Sequence, residues 1–161
     1  MKKSAFVTIG ALVAFAAVNT ASAQSATQTV TFQVSAINQI AVTGTPSLVI
    51  NTAAAGAAPT SATSSGNTWS VTTNQTGASI TASIPTAMPA GVTLSANMTA
   101  PAGATSTGLT ALGTTAVNVV TSITKLNAAG LALSYQLDAT AAAGVVSSAT
   151  RVVTFTITGG V

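Results

Sequence analysis

Hydrophobic and polar residues alternate with a period of two along most of the chain after residue 24. In residues 28–34, Val30, Phe32 and Val34 fall on one side of an extended backbone, and threonine and glutamine fall on the other. This alternation indicates a β-strand with one buried face. Threonine and valine, both abundant here, favour strands because they are stiff at χ1. The pattern predicts about nine strands, at residues 28–34, 37–43, 48–51, 68–73, 78–84, 92–98, 116–124, 131–137 and 152–158.

Clusters of glycine, proline, asparagine and small residues separate these strands at intervals of roughly ten residues. Such spacing is typical of an antiparallel β-sandwich or barrel. We therefore expect an all-β fold, an antiparallel sandwich of Ig-like or jelly-roll type, formed by residues 24–161 as a single domain. Residues 52–66 contain no bulky side chain and predict a long surface loop. The predicted turns are residues 44–46, 59–67, 85–91, 100–108, 127–130 and 141–144.

The first 23 residues have the features of a cleaved signal peptide. Lys2 and Lys3 precede an apolar stretch at residues 5–18, and small residues at Ala21 and Ala23 predict cleavage between Ala23 and Gln24. The apolar stretch is shorter than the roughly 20 residues that cross a bilayer. The sequence therefore predicts a protein that is secreted or displayed at the cell surface, with no transmembrane anchor after cleavage.

Charged residues are scarce, at 3% of the chain against about a quarter in an average domain. Because Lys2 and Lys3 leave with the signal, the formal net charge falls from +3 to +1. Lys125, Arg151 and Asp138 remain, and two isolated cations cannot form the basic patch that nucleic-acid binding requires. The predicted mature chain contains one carboxylate, no histidine and no cysteine. Paired carboxylates, a nucleophile with its base and a metal-ligand set are therefore absent, and we expect no enzyme and no cofactor.

Two segments near the ends of the predicted domain resemble each other. Val30, Phe32 and Val34 follow the same pattern as Val153, Phe155 and Ile157. One interpretation is that both strands lie in one sandwich and supply phenylalanine to its core. The other is strand exchange, in which the first segment adds to a sheet of a neighbouring subunit and builds a head-to-tail fibre. The second interpretation makes residues 27–42 the candidate donor, with Val30, Phe32, Val34, Ile37, Ile40 and Val42 as contacts, and Val153, Phe155 and Ile157 as the candidate acceptor or partner strand.

An alternative function is glycan binding by a monomeric, adhesive β-sandwich. Trp69 and Tyr135 are the rings that such a site would use, because flat aromatic faces stack on sugars. Trp69, however, alternates with polar neighbours in phase with Val71, which favours a place in the core. Glycan binding therefore stays the second hypothesis.

The signal peptide, the alternating first strand and the neutral sandwich rich in threonine, alanine and valine resemble exported fimbrial and spore-coat-type subunits and biofilm-fibre subunits of the camelysin type. In those families an N-terminal strand commonly completes a neighbour's sandwich. Two features differ, since no disulfide is possible and Gly159, Gly160 and Val161 replace the C-terminal aromatic residue of fimbrial subunits. The resemblance implies a non-catalytic structural subunit of an extracellular fibre, pilus-like filament, coat or biofilm matrix. Because these two features depart from chaperone-dependent subunits, assembly without a chaperone is the better match if the protein polymerises.

Overall fold

Nine antiparallel β-strands form two sheets in the computed structural model, which describes residues 22–161. One sheet has five strands in the order β1-β2-β8-β4-β6, and the other has four in the order β5-β7-β3-β9. A short 3-10 turn at Ala141–Ala143 follows β8, and residues 22–161 contain no α-helix. The strands are β1 (Asn38–Thr43), β2 (Ala62–Thr73), β3 (Ala78–Ser83), β4 (Val92–Met98), β5 (Thr105–Ser106), β6 (Thr110–Ala111), β7 (Val117–Ile123), β8 (Leu126–Ala139) and β9 (Thr154–Thr158).

A single hydrophobic core draws side chains from both sheets, as in a β-sandwich. Alternate residues point inward, so that Ala78, Ile80 and Ala82 of β3 are buried while the residues between them are partly exposed. The predicted all-β, antiparallel fold with two packed sheets is therefore confirmed. The large, fully buried side chains are Trp69, Val71, Ile80, Ile84, Met98, Val119, Val120, Ile123 and Leu133.

The strand count agrees with the prediction, but the set of strands differs. Residues 28–34 and 48–51 form no strand, whereas the two-residue strands β5 and β6 were not predicted. Leu48 and Ile50 are nevertheless partly buried and Val49 is exposed, so the second segment alternates like a strand without a sheet partner. Alternation of apolar and polar residues therefore indicates which side chains face the core, even in a segment that pairs with no other strand.

One predicted turn and the end of the predicted loop lie inside long strands. Residues 127–130 belong to β8, where the register with β2 slips by one residue beside Gly130. Gly130 has φ +67°, so this glycine accommodates a β-bulge rather than a reversal of the chain. The predicted loop at residues 52–66 is also shorter than expected, because β2 begins at Ala62.

The chain divides after Gln33 into two units, of which Val34–Val161 holds all nine strands. In the first unit, residues 22–33 have no regular secondary structure and every one of them is exposed. The predicted signal peptide, residues 1–23, lies outside the described residues except for its last two positions. No helix within residues 22–161 is long and apolar enough to cross a membrane.

At Gly91, immediately before β4, two chain segments approach each other closely. Its φ is +78°, and an added Cβ would lie 2.7 Å from the hydroxyl oxygen of Thr140 and 3.1 Å from Ala143. The Gly91 carbonyl accepts a hydrogen bond of 2.8 Å from the Thr140 amide. This contact fixes the end of β8 against the start of β4.

Candidate functional site

The first half of the candidate donor segment is exposed and unpaired. Val30, Phe32 and Val34 expose 73%, 89% and 77% of their surface, so three apolar side chains at alternate positions are in contact with solvent. Residues 27–34, which contain these side chains, form no strand. Exposed apolar side chains grouped in one segment make it a candidate interaction surface.

The second half of the candidate donor segment has a partner in its own domain. β1 pairs with β2 along its whole length, with Ile40 opposite Val71 and Val42 opposite Trp69. Ile40 also packs on the core, and Ile37 adjoins the strand. In this structure the part of residues 27–42 that lies in β1 is therefore paired within its own domain, and the free segment ends at Val34.

Asn74 fixes the point where the free segment joins the sandwich. Its side-chain amide donates a hydrogen bond of 2.8 Å to the Ser35 carbonyl, and its side-chain oxygen accepts one of 2.8 Å from the Ile37 amide. The Asn74 backbone amide also donates to the Ile37 carbonyl at 3.3 Å. We call this set of contacts the Asn74 clamp.

The candidate acceptor strand lies at one side of the sandwich. β9 pairs with β3, with Phe155 opposite Ala82 and Ile157 opposite Ile80, and it is the last strand of its sheet within residues 22–161. Val153, Phe155 and Ile157 are partly buried and pack on the core. The two similar segments therefore do not lie side by side in one sheet, because only the C-terminal one forms a strand.

A groove of about 740 Å³ lies where β8 ends and β4 begins. Its floor includes Leu137 and Ala139, which continue the inward-facing side of β8 beyond the buried Leu133 and Tyr135. Leu137 and Ala139 are only half-buried. Leu137 and Met88 pack against the hydrophobic core, and Met88 and Val92 also line the groove.

Two segments without regular secondary structure line part of this groove. They are residues 48–51 and residues 145–149, and neither belongs to a strand. Among the backbone hydrogen bonds described outside the strands in residues 22–161, none involves either segment. Residues 145–149 are exposed, so their backbone groups are accessible to solvent.

Arg151 contributes the one cation of the groove's lining. Its guanidinium donates hydrogen bonds to the Thr150 carbonyl at 2.9 Å and to the Ala87 carbonyl at 3.3 Å. Its Nε atom is buried and has no acceptor in the described part of the chain. This side chain therefore ties residues 145–152 to the loop before β4 and keeps one donor unused.

The two aromatic residues considered for glycan binding are buried. Trp69 has no exposed surface, and its indole nitrogen donates a hydrogen bond of 3.2 Å to the Thr99 carbonyl. Tyr135 is also a core residue, and burial raises the pKa of its hydroxyl above the ordinary value. The expectation that Trp69 belongs to the core is confirmed, and neither ring presents a face to a sugar in this structure.

Asp138 is bonded to neutral side chains. The Ser61 hydroxyl donates to its Oδ1 atom, and the Gln136 amide donates to both carboxylate oxygens at 3.0 Å. Residues 22–161 contain no group of three or more histidine, cysteine, aspartate or glutamate side chains that could hold a metal ion. These contacts satisfy the carboxylate locally and bring no second acid or base to it.

No family model, curated protein or solved structure matches the chain. Sequence reasoning missed the groove because its lining comes from segments that are far apart along the chain, near residues 48–53, 88–92 and 137–151.

Proposed function

We propose that the protein is a non-catalytic structural subunit of an extracellular fibre, pilus-like filament, coat or biofilm matrix. In this proposal a signal peptide directs export and is cleaved between Ala23 and Gln24, and the domain is a sandwich of Ig-like or jelly-roll type. Subunits join by donating the segment at residues 27–34. The supporting observation is the exposure of Val30, Phe32 and Val34 at 73%, 89% and 77% in the free chain.

Burial of these side chains would release a substantial free energy. A fully buried valine or phenylalanine side chain contributes about 1.5–3 kcal/mol relative to an exposed one. Three such exposed side chains supply a driving force that the subunit does not use within its own sandwich. A second copy of the chain is the simplest partner, because repeated use of one segment and one acceptor builds an open fibre.

The near absence of charge supports the same proposal. Soluble monomers usually keep a net charge away from zero, which limits association. The chain that begins at Gln24 would carry a formal charge of +1, with Lys125, Arg151 and Asp138 as its charged side chains. Electrostatic repulsion between copies would therefore be small, and packed copies would not have to desolvate many charged groups.

Glycan binding is not carried forward as a second function. It requires an accessible aromatic ring at Trp69 or Tyr135, and both are buried in the core. No observation on the sandwich surface favours that alternative.

The test compares three versions of the chain beginning at Gln24 by sedimentation and negative-stain microscopy. We expect filaments or large oligomers from the unchanged chain and from Leu109→Asp, since Leu109 is an exposed apolar residue beside β6. Phe32→Asp should remain monomeric. An unchanged chain that stays strictly monomeric at high concentration would refute the proposal, as would assembly by Phe32→Asp equal to that of the control.

A further inference from the structure

The groove between the end of β8 and the start of β4 has the size and the lining of a site for a small molecule. Its volume of about 740 Å³ lies within the range of about 300–1,000 Å³ that ligand sites usually occupy. Met88, Val92 and Leu137 give it aliphatic surface, and none of the described residues that line it is aromatic. A flat ring or a sugar would therefore find no stacking partner there, whereas a flexible alkyl chain would contact aliphatic side chains along its length.

A positive charge lines this groove without a counter-charge. Arg151 is half-buried, and the sequence contains one carboxylate side chain, that of Asp138. Asp138 follows Leu137 on β8, so its side chain points to the opposite face of the sheet from the groove. Ser61 and Gln136 donate hydrogen bonds to it there. Within residues 22–161 the guanidinium therefore has no acidic side chain as its partner.

The guanidinium also keeps hydrogen-bond donors that the protein does not use. Two of its N–H groups donate to the Thr150 and Ala87 carbonyls, at 2.9 and 3.3 Å. Its Nε atom is buried and has no acceptor in the described part of the chain. A buried polar group without a partner is costly, and arginine typically binds a carboxylate through two parallel hydrogen bonds. A carboxylate would therefore satisfy this end of the groove in both charge and hydrogen bonding.

We propose that this groove binds a free fatty acid, with the carboxylate on Arg151 and the alkyl chain along Leu137, Met88 and Val92. One carboxylate neutralises the cation of the described lining, whereas a dianion would bring an unpaired charge into an apolar site.

Met88 suits an alkyl chain in particular, because the methionine side chain is unbranched and adapts its shape to its neighbour. The proposal is independent of fibre assembly, since no residue of the free segment at residues 27–34 lines the groove.

Titration calorimetry with dodecanoate, kept below its micelle concentration, tests the site on the chain from Gln24, which holds all nine strands described in residues 22–161. We expect saturable binding of a single dodecanoate per chain. Dodecanol and dodecyltrimethylammonium should bind about tenfold more weakly or worse, because they lack the charge-assisted hydrogen bonds to Arg151. Decanoate should bind about tenfold more weakly than dodecanoate, because it buries a shorter alkyl chain.

Two pairs of variants locate the site. Arg151→Gln and Lys125→Gln each remove one cation, but Arg151 lines the groove, whereas Lys125 is exposed and does not. Ala139→Phe fills the groove, whereas Ala132→Phe adds the same ring at an exposed position of the same strand. Arg151→Gln and Ala139→Phe should weaken dodecanoate binding about tenfold or more, and the two controls should bind it as the unchanged chain does. Trp69 fluorescence checks that each variant is folded.

Absence of saturable dodecanoate binding would overturn the proposal, as would dodecanol binding as tightly as dodecanoate. An equal loss of affinity in Lys125→Gln would show general attraction to positive charge and would also overturn it. Binding that is seen only after deletion of residues 24–33 would show that the free segment covers the groove, and would count against a fatty acid as its occupant. Should Arg151→Gln fail to fold, the comparison of dodecanoate with dodecanol on the unchanged chain still decides the outcome.

Discussion

Phe32 and Phe155 occupy equivalent positions in two similar segments, but the structure places them in opposite environments. Phe32 is 89% exposed, whereas Phe155 is partly buried against the core and pairs with Ala82 across β3 and β9. The same substitution to alanine at these two positions therefore separates the stability of the subunit from its assembly. The two positions are matched in local sequence, since a valine precedes each phenylalanine by two residues.

The expected magnitudes follow from burial. Phe155→Ala should lower the free energy of unfolding of the dilute monomer by about 2 kcal/mol, less than the 3–5 kcal/mol of a fully buried phenylalanine. Phe32→Ala should change it by less than about 0.5 kcal/mol, as exposed positions usually do. Because Phe32 is proposed to be buried in the assembly, Phe32→Ala should weaken each contact between subunits by about 2–3 kcal/mol. At 1.4 kcal/mol for each factor of ten, the critical concentration for assembly should rise about 30-fold to 150-fold.

Urea unfolding followed by Trp69 fluorescence measures the first quantity, and sedimentation of a concentration series measures the second. For Phe155→Ala, the critical concentration should be unchanged once it is expressed per folded subunit. Loss of more than 1 kcal/mol of monomer stability in Phe32→Ala would show that the segment is packed on its own domain. A critical concentration that does not change in Phe32→Ala would show that this side chain is not buried in the assembly.

Three other predictions concern the sandwich alone. Gly91→Ala should destabilise it by about 2 kcal/mol or more, because the positive φ and a steric clash combine. Gly103→Ala should cost about 1 kcal/mol, because Gly103 has φ +83° but open space around it. Thermal unfolding compares the two variants. Because burial raises the pKa of Tyr135, its hydroxyl loses its proton in the unfolded chain before it does so in the folded one. The free energy of unfolding should therefore fall as the pH rises above about 10. Tyr135→Phe should reduce that fall, as measured by denaturant titration at several pH values. Trp69→Phe should cost about 1–3 kcal/mol by leaving the Thr99 carbonyl without its partner, and the fluorescence of Trp69 should be insensitive to added sugars.

Period-two patterning predicted the sandwich because each inner face is built from alternate residues of its strands. β3 and β4 match their predicted ranges to within one residue, and β7 to within one at each end. The pattern is less informative about pairing. Residues 28–34 alternate as clearly as β3, yet they form no strand, because alternation records a preference for a covered face and does not specify which chain covers it.

Turn residues were the second source of error. Glycine and asparagine at residues 127–130 predicted a reversal, but Gly130 serves a bulge in the middle of β8, where the backbone needs a positive φ without changing direction. The groove was also beyond prediction, since it depends on where β3 and β9 stop relative to β8. Trp69 was placed correctly in the core because its phase with Val71 persists through the irregular part of β2.

The Asn74 clamp would determine the mechanical character of a filament built in this way. It holds Ser35 and Ile37 on the donor's own sandwich, and the segment proposed to enter the neighbour ends at Val34. One peptide link therefore separates the clamped part from the inserted part, a reach of about 3.8 Å between successive Cα atoms. With so little slack, neighbouring sandwiches would touch and resist bending, so the filament would behave as a stiff rod and not as beads on a flexible string.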